Sequence, residues 1–143
     1  MKRFDFSLQK VLDLREFEKK QAEAELGRAV GEETRIEQAL QAVAESRALN
    51  VRAADDMHSI TDLYNVNCYF ALLNQRKENL LEELTQAKLV TEEKREVMRE
   101  AMKKHKVLEK LKEKRLSSWK KDALKEEEAV TDDIVTARYE ENA

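Results

Sequence analysis

Cys68, His58 and His105 are the side chains whose chemistry best suits a nucleophile, a general base or a metal ligand. A nucleophilic cysteine needs a base within hydrogen-bonding reach, and Cys68 has no evident histidine partner. The two histidines lie far apart along the chain and lack metal-ligand spacing. With only two glycines there is no glycine-rich loop to cradle a phosphate. Pairs of carboxylates abound, but at 40% charged residues they are the ordinary surface of helices. No catalytic, cofactor-binding or metal-ligating residue emerges, and the chain reads as a non-enzyme.

The remaining chemistry is that of protein contact. From 102 to 125 ten Lys and Arg stand against Glu109, Glu113 and Asp122, a local +7. That run lacks interleaved aromatics, and its acids sit at helical salt-bridge spacing. It therefore suits a solvated face or an acidic protein better than nucleic acid. From 126 to 141 seven acids meet only Arg138, a local −6, which reads as a solvating tail. Trp119 is either a partner anchor or the closure of a last packing layer. Cys68-Tyr69-Phe70-Ala71-Leu72-Leu73 is apolar all round, and at the N-terminus Phe4, Phe6, Leu8, Val11, Leu12, Leu14 and Phe17 spread over more than one face. Apolar surface of this kind marks a protein-binding site, unless a turn or a second copy covers it.

These side chains must be positioned by helices. There is no proline, aromatics make up 6%, and Ala, Glu, Lys, Leu and Arg dominate, the composition of long helices and coiled coils. Ser7 suits a helix N-cap, with Phe6 before it placed to staple onto Val11. From Leu8 one heptad row runs Leu8, Arg15, Ala22, Ala29, Ile36, Val43, Asn50, Met57. Its companion runs Leu12, Lys19, Leu26, Glu33, Leu40, Arg47, Ala54, Thr61. Ten of these sixteen are apolar, a true but leaky seam. Gly27 and Gly31 lie off it and weaken the helix locally by about 1 kcal/mol each.

The pattern lapses over Asp55–Asp62, where cap-type residues cluster and Ser59, Thr61 or Asp62 can start a second helix. That helix repeats the design. One row is Val66, Leu73, Leu80, Ala87, Lys94, Ala101, Leu108, Arg115, and the other is Phe70, Lys77, Leu84, Thr91, Met98, His105, Lys112, Trp119. A short turn makes the helices antiparallel, with facing residue numbers adding to about 120. Leu12 then faces Leu108 and Ile36 faces Leu84, while Leu26 meets Lys94 in a mixed layer. The expected fold is all-α: one coiled-coil domain over 1–143, an antiparallel two-helix hairpin. Helix one covers about 7–57, the turn about 58–62 and helix two about 63–139, whose end overhangs the N-terminus. One cysteine rules out an internal disulfide and fits a cytosolic protein. Asp5, Lys10 and Asp13 leave no signal-peptide core, and no segment is apolar enough to span a membrane.

Three stretches together resemble a known family: the opening FDFSLQKVLDLREFEKKQAEAEL, the central KHKVLEKLKEKR and the late DDIVTARYEE. In that order they are similar to the FliJ family, small cytoplasmic coiled-coil proteins of the flagellar type III export apparatus. The resemblance covers nearly the whole chain. It implies a two-helix coiled coil like the stalk of rotary ATPases, seated in the central opening of the hexameric export ATPase and promoting its assembly. It also implies contact with the export-gate membrane protein and escort of export chaperones, with the protein cytoplasmic and held at the inner membrane through protein partners only.

On that resemblance the open end of the hairpin is expected to enter the ring. The ATPase contacts would be Phe4, Phe6, Val11, Leu14, Phe17 and Trp119, with Lys120, Lys121 and Lys125 guiding docking. The gate contact would draw on Tyr69, Leu72, Leu73, Arg76 and Leu80, with a share from helix one that the resemblance does not place. Two other readings stand beside this one: a generic scaffold or tether, self-dimerising or not, and more distantly a nucleic-acid-binding helix.

Overall fold

A computed structural model describes residues 2–142 of the chain. It holds two helices, α1 (Gln9–Asp55, 47 residues) and α2 (Ile60–Glu141, 82 residues), and no strand among the described residues. The hairpin expected from the heptads is present, with α2 the longer arm.

The packing divides into two compact units. One joins the first nineteen residues to the stretch from Glu100 onward, and the other is Lys20–Arg99. Within Lys20–Arg99 the facing pairs are Glu25 with Lys94, Arg35 with Glu83 and Arg47 with Asn74. Partner numbers fall on α2 as they rise on α1, so the segments run antiparallel, and each pair adds to about 120. The buried residues of this unit are Ala22, Ile36, Val66, Leu73 and Thr91, and every one lies on a heptad row. Thr91 is a polar member of that seam; its hydroxyl donates to the carbonyl of Ala87 at 3.0 Å, so its burial leaves no orphan oxygen. Lys94, expected opposite Leu26, is accommodated by reaching outward. Its Nζ lies 3.1 Å from a Glu25 carboxylate oxygen while its aliphatic stem stays on the seam. Asn50 carries a buried Nδ2 with no hydrogen-bond partner.

The connection is tighter and earlier than the cap cluster suggests. α1 winds down through short-range bonds, Asp56 N to Ala53 O at 3.3 Å and Met57 N to Ala54 O at 3.2 Å. α2 begins at Ile60 because Ser59 takes the N-cap position, its carbonyl accepting from Leu63 N at 3.0 Å. Arg52 in the last turn of α1 and Asp62 in the first turn of α2 oppose the helix dipoles favourably.

In the other unit the start of α1 departs from expectation. Gln9 N bonds Phe6 O at 3.0 Å and Leu12 N bonds Leu8 O at 2.9 Å, so the chain makes a turn at 7–8 and Leu8 occupies the cap position. Ser7 does not cap α1. Its Oγ accepts instead from Arg115 Nη1 of α2 at 2.9 Å, a charge-assisted bond that a neutral cap interaction does not match. Phe6, Leu12 and Ala101 are the buried apolar residues of this unit.

Candidate functional site

The two groups of residues expected to make contacts fall in different units. Among the described residues no three His, Cys, Asp or Glu side chains gather as a metal site. Cys68 is a free, exposed thiol, and His105 Nδ1 faces only Glu109 at 3.5 Å. No helix among those residues is long and apolar enough to cross a membrane.

In the unit that holds the N-terminus, a short non-helical arm precedes α1 and lies against α2. Phe4 packs on Trp119 with ring centroids 5.9 Å apart and planes tilted by 58°. The Arg115 guanidinium sits 5.5 Å from the Phe6 centroid. Phe6 is buried at 4% exposure, so it seals the seam and has little surface left for a partner. Phe4 and Trp119 are half-buried against each other. The side chains still open are on α1: Val11, Leu14 and Phe17, with Phe17 63% exposed. They recur every three residues, which sets them on one helical flank away from the heptad rows. Lys120, Lys121 and Lys125 are exposed on α2.

In the Lys20–Arg99 unit Tyr69 and Leu72 are exposed at 39% and 48%, as their place off the seam requires. Leu73 is fully buried, Leu80 half-buried and Arg76 exposed. Leu73 also floors an open groove of about 300 Å³ between α1 and α2, which Tyr69, Leu72, Arg76 and Leu80 do not line. Its walls include Leu40, Val43, Arg47 and Lys77. Arg47 is fixed at the rim by its bond to Asn74 Oδ1 at 2.9 Å, and its guanidinium lies 5.9 Å from the Phe70 centroid. The groove brings α1 residues beside Leu73, one of the expected gate residues. The antiparallel register held the signal, since it faces Leu73 with Arg47. Sequence reading also passed over Ile60, Leu63 and Tyr64, exposed at the start of α2 at the i, i+3, i+4 spacing of one face.

Exposed apolar flanks and grooves of this kind are surfaces suited to protein contact. The family model described as Flagellar FliJ protein matches residues 4–143. No curated protein and no solved structure matches the chain.

Proposed function

The chain belongs to the FliJ family of flagellar type III protein export components, and we propose that it works there as a non-enzymatic stalk for the hexameric export ATPase. In this reading it enters the ring's central opening by the end carrying its N-terminus, promotes ring assembly, and remains cytoplasmic, reaching the membrane only through protein partners. A second surface, around Tyr69, Leu72 and the groove above Leu73, meets the export gate. The same protein escorts export chaperones.

The observation that carries the ring contact is the uncovered flank of Val11, Leu14 and Phe17. A large aromatic at 63% exposure on an otherwise charged helix gains contact area only from another protein. The exposed lysines at 120, 121 and 125 support it, because flanking charge of one sign speeds association with an oppositely charged rim. For the gate, the apolar groove with Arg47 and Lys77 on its walls suits an apolar side chain flanked by an acid.

Purified export ATPase gives the test. Leu14→Ala with Phe17→Ala should weaken stimulation of ATP hydrolysis, and Lys120, Lys121 and Lys125 reversed to Glu should slow association more at low salt than at high. Tyr69→Ala with Leu72→Ala should spare that activity and weaken binding to the gate's cytoplasmic portion. Full stimulation by the Leu14/Phe17 variant, with loss in the Tyr69/Leu72 variant, would put the opposite end in the ring.

A further inference from the structure

Beside Ala123 the arm reaches its last described residue: Lys2 shares an open hollow with Ala123, Glu126, Glu127 and Val130 of α2. Every described residue from Leu124 onward is exposed, Val130 at 57% and Ile134 at 53%. Past Val130 roughly 11 residues of α2, about 17 Å, are exposed all round among the described residues. The heptad rows turn acidic here, at Asp122, Glu126 and Asp133, and an apolar stripe one position on takes over. Trp119, Ala123, Val130, Ile134 and Ala137 follow at four, seven, four and three residues, which keeps them on one stripe of the helix.

The same stretch is poorly made to be helical alone. Val130, Thr131, Ile134, Val135 and Thr136 place five β-branched residues within seven positions, where each loses rotamer freedom against the preceding turn. The Thr131 hydroxyl already bonds back to the Glu127 carbonyl at 2.9 Å. An isolated helix of this length and composition is marginal in water. Its stability must come from a partner on the stripe.

Charge selects the partner. The stretch 126–141 has seven acids and only Arg138 in opposition. Pairing with the same stretch of a second copy sets like charge against like, and an anionic membrane or a nucleic acid is repelled for the same reason. We propose that the Val130–Ile134–Ala137 face takes a basic amphipathic helix of another protein. That helix lies along α2 beyond the N-terminal arm, its apolar side chains on the stripe and its Lys and Arg toward Glu126, Glu127 and Asp133. The stretch gains most of its helical order on docking. The stripe begins at Trp119 and the stretch holds Lys125, so the site adjoins the proposed ring surface; the peptide titration contains no ATPase and reads it separately.

The probe is a synthetic helix-forming peptide with Leu at seam spacing and Lys or Arg on both flanks, titrated into the full chain. Binding should protect the amides of 124–141 from hydrogen exchange and should weaken with salt. A peptide of the same composition with its Leu positions scrambled, and one with Glu flanks, should each bind at least about tenfold more weakly. Val130→Asp with Ile134→Asp should remove binding while circular dichroism shows the rest of the hairpin intact. Equal binding by the scrambled peptide, binding that survives the double substitution, or no binding by the basic peptide overturns the proposal.

Discussion

Lys94 stands on a heptad row of α2 and ends on Glu25 of α1, Nζ to Oε2 at 3.1 Å, with both side chains 37% exposed. A pair so open to water contributes at most about 1 kcal/mol. The seat its stem occupies could hold an apolar side chain worth more. Lys94→Leu should therefore stabilise the hairpin by about 1 kcal/mol. Urea denaturation reads this as a higher midpoint with an unchanged slope; a lower midpoint would mean the ion pair outweighs the burial it prevents.

Gly27 and Gly31 are helical and exposed, and a Cβ built at either meets nothing within 4 Å. Neither has a positive φ. Alanine at each should raise stability by about 1 kcal/mol, through propensity and a less free unfolded chain. A thermal melt of the double variant that fails to rise would show that the glycines serve a close approach absent from the free chain.

Trp119 is the sole tryptophan, and its ring contact is Phe4. Its fluorescence is thus a direct report on the N-terminal arm. Arg115→Ala removes the bond to Ser7 and the cation above Phe6, and should shift Trp119 emission to the red while α1 and α2 keep their helicity. Unchanged emission would mean that apolar contact alone holds the arm.

Arg35 hydrogen-bonds Glu32 across one turn and holds its carboxyl below the usual glutamate range. A depressed folded pKa contributes stability above the ordinary glutamate range and loses it as pH falls through the folded value. An NMR titration should place the Glu32 midpoint below that of a free glutamate, and Arg35→Ala should move it up. An unmoved midpoint would assign the shift elsewhere.

The heptad rows were legible because one side-chain period governs both sequence and packing: Ala22, Ile36, Val66, Leu73 and Thr91 are buried where the rows put them. The register followed from the position of the turn, a matter of chain geometry. The arm was not legible. Residues 2–8 are non-helical and have no periodicity to read, and a local capping rule assigned Ser7 to α1 although its partner lies 108 residues away on α2. Arg115 shows the same limit. It holds a row position that suggests burial, yet it is exposed and lies across Phe6, because the arm and not α1 faces it there. Of the expected contact aromatics, Phe17 kept its exposure, whereas Phe6 was drawn into the seam by an arm no pattern announced.

The pairs Arg47–Asn74, Arg35–Glu83 and Glu25–Lys94 are nested, each enclosing the one before it around a single short connection. Such a chain closes like a zip. The loop to be shut grows from 27 residues at Arg47–Asn74 to 69 at Glu25–Lys94, and closing the outer layers first costs more entropy than adding them to a formed inner one. Folding should start beside the connection, and fraying should start at the far end. Amide exchange in the free protein should therefore quicken along α1 from its C-terminus toward Gln9. By that order the flank of Val11, Leu14 and Phe17 sits on the turns that open most cheaply, so a partner there can remodel its own seat without unfolding Lys20–Arg99.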